Sequence, residues 1–454
     1  MSRLRVRRAP LIQAEIRVPG DKSISHRAVI LASLSNGTCV LRGFLPGADC
    51  LSTVNAMRAL GIRIEQPEPT TLIIHGNHRR LTAPADVIDC GNSGTTMRLL
   101  AGVLAGQDFR SILTGDDSLT SRPMGRVMKP LKQMGATVAS QRTKDFAPLV
   151  VEGRSPLKAI TYPLPIPSAQ VKGCVLLAGL FADGATSVIE PGQSRDHTER
   201  LLEYFLVPVE RVVTDEAGQR QIRLTVQGGA MPESRDFQIP GDMSGAAFWL
   251  AAAAAQPGSH LLIKDVGLND TRTGILAVLL RMGARVREII ENIDQMERVG
   301  AVEIVGDHLR GTVVEGAEIP NVIDEIPIIA VLGALAEGET IIRDAAELRV
   351  KETDRLAAIA TNLRAMGVPV DERPDGLIIT GGQPLKGAKL KSFGDHRIAM
   401  AFTIAGLFAK GETTIEDTDC IVTSYPGFEE TLLEVLKSST SGAEATKVIS
   451  SLKN

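Results

Sequence analysis

The sequence predicts an α/β protein of two similar domains, and three observations carry that prediction. One phrase recurs along the chain: an apolar helix, a glycine, a β-rich strand, a turn, then a second helix and another strand. Ala32, Ala101, Ala178, Ala251, Gly333 and Ala405 hold matching places in six copies, a step of roughly 70 to 80 residues and longer than common solenoid repeats. Each copy also mixes helical spacing with short β-branched runs, as at 187–189 and 340–342, which neither an all-helical nor an all-strand fold accommodates. Finally, VPGDKS at 18–23 is echoed by IPGDMS at 239–244, and each precedes the first of three copies. The six therefore divide into two threes, with the chain crossing near residues 20 and 240. On this reading residues 21–239 form the first domain and 1–20 with 240–436 the second. Residues 437–454 are a Ser-, Thr-, Lys- and Ala-rich tail expected to be weakly ordered.

The start of each apolar helix is where the chemistry gathers. In the first copy Pro19 and Gly20 break the preceding strand, Asp21 or Ser23 can cap the helix, and Asn36-Gly37 ends it. Lys22, Ser23, His26 and Arg27 crowd its first turns, where the helix dipole by itself prefers negative partners. Cations fit there if an anion sits on the free backbone N–H groups, although a solvated basic cap explains this one stretch about as well. The second copy opens with GNSGTT at 91–96, the third with PSAQ at 167–170 and the fourth with GDMS at 241–244. Asp324-Glu325 opens the fifth and Gly394-Asp395-His396-Arg397 the sixth. Ordinary capping explains the Ser, Asn and Asp. It does not explain Lys22, Arg27, Arg397 or the glycines around Gly94, which let backbone approach a ligand closely.

The turns between strand and second helix add Arg122, Arg195, Arg272 and the run LRVKETDR at 348–355. A single turn arginine is ordinarily solvated or weakly paired. Recurrence at matching places points instead to one shared anion-rich cleft for two or more phosphate or carboxylate groups. Asp324 and Glu352 complicate that picture, because a pure anion trap gains nothing from negative charge. Proton transfer does need carboxylates. The plainer alternatives are that Asp324 caps its helix and Glu352 pairs Arg355 at helical spacing.

Composition removes other classes. With 44% hydrophobic, 23% charged and 3% aromatic residues over 454 positions, the chain suits a soluble protein of two or more domains. A net charge of -3 and few aromatics argue against a nucleic-acid binder. Five scattered cysteines, without a Cys-x-x-Cys pair, argue against a disulfide framework or zinc site. The apolar runs at 246–255 and 326–336 are too short for a bilayer, and Arg3, Arg5, Arg7 and Arg8 are not followed by a signal-peptide core. The expected setting is the cytoplasm.

At the helix starts and turns the sequence resembles the 5-enolpyruvylshikimate-3-phosphate (EPSP) synthase family, also called 3-phosphoshikimate 1-carboxyvinyltransferases. The phrases are PGDKSISHR at 19–27, GNSGTTMR at 91–98, SRPMGR at 121–126, PSAQVK at 167–172, VIDEIPIIA at 322–330, ELRVKETDR at 347–355 and GDHRIAMAF at 394–402. They fall in family order over nearly the whole chain. The resemblance implies two domains, each of three βαβαββ units, in the inside-out α/β barrel of enolpyruvyl transferases. It implies transfer of the enolpyruvyl group of phosphoenolpyruvate to the 5-hydroxyl of shikimate 3-phosphate, by a cytoplasmic monomer without metal, cofactor, nucleic-acid or membrane partner. It gives Lys22, Ser23, Arg27, Ser168, Ala169, Gln170, Arg195, Asp324 and Lys351 to shikimate 3-phosphate. Lys22, Gly94, Arg122, Gln170, Arg355 and Arg397 go to phosphoenolpyruvate and its competitor glyphosate. Asp324 is implied as the base, and Glu352 with Lys22 as the acid.

Two departures stand out. Ser168-Ala169-Gln170 and Ser194-Arg195-Asp196-His197 follow one subgroup rather than the Ser-Ser-Gln form, and Thr423-Ser424-Tyr425-Pro426 lacks the lysine some members place there. The sibling transferase for UDP-N-acetylglucosamine is opposed by Lys22-Ser23 and Ser168. A non-catalytic phosphometabolite binder would not need Asp324 or Glu352.

Overall fold

A parallel pair of strands joined through a helix, then two antiparallel strands, is the unit from which the chain is built. The computed structural model describes residues 2–142, 144–216, 219–292, 296–437 and 448–452. In the second copy Ile88–Asp89 lies parallel to Arg110–Thr114, and the helix Gly94–Ala105 crosses between them. Leu149–Glu152 then pairs antiparallel with Arg110–Thr114 and with the edge strand Thr137–Ser140. A parallel pair cannot be closed by a tight turn, so the apolar helix is the required crossover. The third copy repeats this order with strands Thr161–Pro163, Ala185–Glu190, Val209–Glu216 and Gln219–Gln227. The fifth repeats it with Val313–Val314, Glu339–Ile342, Val370–Arg373 and Gly376–Thr380.

The other three sheets borrow strands from distant sequence. Phe237–Gln238 supplies the lead strand beside Thr38–Arg42 of the first copy, and Gln13–Arg17 supplies the one beside His260–Gly267 of the fourth. In the sixth, Lys389–Lys391 is parallel to Thr413–Glu416, and Arg3–Val6 lies antiparallel between Thr413–Glu416 and Ile449–Leu452. Of the stretch expected to be weakly ordered, 438–447 and 453–454 lie outside the described residues. Val448 and Ile449 are buried.

Two compact units result. The amino-terminal unit holds Gly20–Ile239 and Asp294–Glu297; the carboxy-terminal unit holds Met1–Pro19, Pro240–Ile293 and Arg298–Asn454. Each has one hydrophobic core. In the carboxy-terminal unit the helices Met243–Ala254 and Ile326–Leu335 are apolar on nearly every face, so they are buried nearly all round. In the amino-terminal unit Gly94–Ala105 packs so closely on the helix Ala169–Gly179 that a Cβ at Gly102 would stand 2.2 Å from the Cys174 carbonyl oxygen. Only glycine fits there. Among the described residues no helix is long and apolar enough to cross a membrane.

Candidate functional site

In the amino-terminal unit the helix Lys22–Leu34 is capped by Asp21, whose side chain accepts from the Ile24 N–H at 2.9 Å. Capping by Asp21 leaves Ser23 in the first turn beside Lys22. The Lys22 ammonium meets the buried Asp49 carboxylate. Arg27, one turn on, is 5% exposed. It donates from Nε to Thr198 Oγ1 at 2.7 Å and from Nη1 to the Ser23 carbonyl at 2.9 Å. Between them His26 is fully buried, with Nδ1 2.7 Å from Thr53 Oγ1, which is 2.7 Å from Thr96 Oγ1. Burial, with Lys22 and Arg27 nearby, pushes the His26 pKa well below its ordinary value, so the ring is neutral.

The next two helix starts lock into one another. Ser93 caps Gly94–Ala105 by accepting from Thr96 N–H at 3.1 Å, and Ser168 caps Ala169–Gly179 by accepting from Val171 N–H at 3.4 Å. Gln170 bridges the two: it accepts from Arg98 Nη1 and donates to Thr95 Oγ1 at 3.0 Å. Arg122, 6% exposed, donates from Nη2 to Asn92 Oδ1 at 2.8 Å and to Ser118 Oγ at 3.0 Å. A Cβ on Gly94 would stand 3.2 Å from Arg98 Nη1 and 3.4 Å from Arg122 Nη1. Gly94 thus lies directly beneath two guanidinium groups. Arg195 is half-buried in the loop ahead of the helix His197–Tyr204.

In the carboxy-terminal unit the charges interlock around Arg355, whose side chain is 1% exposed. It donates from Nε to Asp395 Oδ2 at 2.7 Å, from Nη2 to Glu352 Oε2 at 2.6 Å and from Nη1 to Asp324 Oδ1 at 3.3 Å. Burial works against the guanidinium charge, but Asp395, Glu352 and Asp324 outweigh it and raise its pKa. Arg397 reaches the same aspartate, with Nη2 3.7 Å from Asp324 Oδ2 and Nη1 donating to the Asp324 carbonyl at 3.1 Å. Lys351 Nζ is 3.9 Å from Asp324 Oδ1. Desolvation lowers the Lys351 pKa, and Asp324 resists that change.

Asp324 does not cap the fifth helix. The cap position of Ile326–Leu335 is Glu325, whose side chain makes no capping bond. The caps of the other five apolar helices, Asp21, Ser93, Ser168, Asp242 and Asp395, each accept from a first-turn N–H. Asp324 is therefore placed by cations rather than by a helix end. Glu352 does pair Arg355 as spacing suggested, but with an arginine already bound to two other carboxylates.

Lys22, Ser23, Arg27, Gly94, Arg122, Ser168, Ala169, Gln170 and Arg195 all belong to the amino-terminal unit, and Asp324, Lys351, Glu352, Arg355 and Arg397 to the carboxy-terminal one. Arg98, Asp49 and Thr198 are not singled out by the sequence, and Asp395 is marked there only as a helix cap, which it is, without its bond to Arg355. Arg98 ends the quoted phrase GNSGTTMR, so a cation one helical turn beyond Gly94 was the available signal. Asp49 carries none, because its partner Lys22 stands in a different helix. At the lysine-free stretch near Thr423, Tyr425 is buried and its hydroxyl accepts from Trp249 Nε1–H at 2.9 Å.

Comparison with known proteins gives this arrangement relatives. A sequence model of EPSP synthase (3-phosphoshikimate 1-carboxyvinyltransferase) matches residues 6–432. A 3-phosphoshikimate 1-carboxyvinyltransferase of Desulforudis audaxviator is 50% identical over 430 residues, covering 94% of this chain and 98% of that relative. One from Akkermansia muciniphila is 50% identical over 435 residues, with 94% and 98% covered. Among solved structures, an EPSP synthase of Acinetobacter baumannii matches with a TM-score of 0.84 at 38% identity, covering 100% of both chains.

Proposed function

The chain belongs to the EPSP synthase family, and from that premise we propose how its residues share the reaction. The reaction moves the enolpyruvyl group of phosphoenolpyruvate onto the 5-hydroxyl of shikimate 3-phosphate, releasing phosphate, on the route to chorismate and the aromatic amino acids. The fold is the inside-out α/β fold of that family.

In the proposed division of labour, Lys22, Ser23, Arg27, Ser168, Ala169, Gln170, Arg195 and Lys351 hold shikimate 3-phosphate. Gly94, Arg122, Arg355 and Arg397, with Lys22 and Gln170, hold phosphoenolpyruvate. Asp324 takes the proton of the 5-hydroxyl as its oxygen bonds to C2 of phosphoenolpyruvate. Glu352, with Lys22 assisting, delivers a proton to the methylene carbon. The tetrahedral adduct then loses a proton from the new methyl group and its C–O bond to phosphate breaks, regenerating the double bond. Fixed cations stabilise the charge that develops on the phosphate and carboxylate.

The observation that carries this reading is the setting of Asp324. Its carboxylate lies within 3.9 Å of Arg355, Arg397 and Lys351, while the helix beside it goes without a side-chain cap. A carboxylate needed only to end a helix would bond to first-turn N–H groups, and one in a simple anion trap would repel the ligand. The test is phosphate release from phosphoenolpyruvate with each acceptor. Release that needs shikimate 3-phosphate supports the reading. Release with UDP-N-acetylglucosamine instead, or with neither acceptor, contradicts it. The same reading has the protein act as a cytoplasmic monomer, and sedimentation of the purified protein checks the mass.

A further inference from the structure

One cation of the phrase PSAQVK is turned wholly inward. Lys172 lies in the first turns of the helix Ala169–Gly179, yet its side chain is 1% exposed. Nζ donates to Glu190 Oε2 at 2.9 Å and to Glu199 Oε1 at 2.8 Å. Glu190 ends the strand Ala185–Glu190, and Glu199 lies in the helix His197–Tyr204, so one ammonium ties three elements together. Burial opposes the charge on Lys172 and the two glutamates outweigh it, raising its pKa; burial raises that of Glu199.

The surroundings of this cluster are the reason to look beyond stability. The other oxygen of Glu190 accepts from the Ser194 hydroxyl, and Ser194 directly precedes Arg195. Thr198, adjacent to Glu199, accepts from Arg27 Nε at 2.7 Å. Ser168, Ala169 and Gln170 open the very helix that carries Lys172. Three groups of residues assigned to shikimate 3-phosphate are thereby referred to one buried point. Replacing a buried ion cluster by apolar side chains is commonly neutral or stabilising, so stability alone is a weak reason to keep one. Fixed geometry is the stronger reason.

We propose that Lys172 is a positioning residue for shikimate 3-phosphate: through Glu190 and Ser194 it sets the Arg195 loop, and through Glu199 it sets the Thr198–Arg27 contact, relative to Ser168 and Gln170. This rests on the assignment of Arg195, Arg27 and Ser168 to that substrate. Lys172 touches no substrate itself, and its effect passes through the backbone and side chains it holds.

The experiment compares Ser194→Ala, Lys172→Met and Arg195→Ala in the full chain. Shikimate 3-phosphate affinity is read by calorimetry, KM for each substrate by phosphate release, and folding by the melting temperature. Ser194→Ala removes one hydroxyl and leaves the charges in place, so it tests the link even if Lys172→Met fails to fold. Ser194→Ala should weaken shikimate 3-phosphate binding roughly tenfold, as expected for losing a hydrogen bond to a charged group. KM for phosphoenolpyruvate and kcat should stay within about twofold, a split that general loosening of the fold does not give. Folded Lys172→Met should show the same pattern more strongly. If Arg195→Ala weakens binding while Ser194→Ala binds normally with a native melting temperature, the positioning role is overturned and the site assignment stands. If Arg195→Ala also binds normally, both are overturned.

Discussion

Arg355 donates from Nε to Asp395 Oδ2 at 2.7 Å, in a pair whose side chains are 1% and 0% exposed. The other oxygen of Asp395 accepts from the N–H groups of Arg397 at 2.8 Å and Ile398 at 3.3 Å, capping the helix His396–Gly406. One carboxylate therefore sets two arginines at once, the first by its side chain and the second through a helix start.

Asp395→Asn should separate those two duties. Asparagine caps about as well as aspartate, so the helix should persist. The buried Arg355 guanidinium loses its first partner, and breaking a buried pair costs about 3 to 5 kcal/mol. The expected result is a lower urea midpoint together with a raised KM for phosphoenolpyruvate. An unchanged midpoint would show that Glu352 and Asp324 suffice to hold Arg355.

Asp324→Asn should collapse turnover, since losing a general base costs on the order of 100- to 10,000-fold, while the melting temperature falls less than in Asp395→Asn because Arg355 keeps its closer partners Asp395 and Glu352. Shikimate 3-phosphate should still bind by calorimetry, somewhat more weakly because an amide oxygen accepts the hydrogen bond of the 5-hydroxyl less strongly than a carboxylate does. Near-normal turnover would move the base role to Lys22 or Glu352. Early melting without binding would make Asp324 a structural partner of Arg355 and Arg397.

Gly94→Ala places a methyl group 3.2 Å from Arg98 Nη1 and 3.4 Å from Arg122 Nη1. The Arg98 guanidinium must give by a few tenths of an ångström while that of Arg122 comes into ordinary contact, crowding whatever anion lies over Gly94. The inhibition constant for glyphosate, which is longer than phosphoenolpyruvate, should rise more than KM for phosphoenolpyruvate does. Equal changes, or none, would remove the steric account.

His26 gives a pH signature. Its folded pKa lies well below 6.5, so below pH 6.5 the unfolded chain takes up a proton that the folded chain refuses. Stability should fall with decreasing pH across that window, by up to about 1.4 kcal/mol per pH unit, and should be insensitive to His26 above it. Melting temperatures of wild type and His26→Gln between pH 8 and 5 (roughly the range where histidine titrates) should diverge only on the acid side, with the wild type steeper. Parallel curves would show that His26 takes up its proton in the folded state as well.

The repeat and its helix starts were legible because their signals are local. A cap such as Ser93 or Ser168 acts within one turn, and the apolar faces of 246–255 and 326–336 need no partner to be recognised. What stayed hidden joins distant residues. Nothing near Arg3–Val6 reveals that it runs between Thr413–Glu416 and Ile449–Leu452, and nothing in GADC at 47–50 marks Asp49 as the partner of Lys22. Asp324 was ambiguous for the same reason: as a sequence feature it is an ordinary cap, and only Arg355, Lys351 and Arg397 distinguish it.

The borrowed strands also order events in time. All the strands of the three amino-terminal sheets lie between Thr38 and Gln238, so that unit can assemble while the ribosome is still making the rest. The strand Arg3–Val6 is made first and must wait for Thr413–Glu416 before it has a neighbour. Such a long-range pairing is slow to form because loop closure precedes any contact. From about residue 240 onward the growing chain therefore carries one nearly finished body and one early strand still waiting for its neighbours. Protease challenge of ribosome-bound chains of increasing length should find the amino-terminal unit protected well before the carboxy-terminal one. Simultaneous protection of both at full length would refute that sequence of assembly.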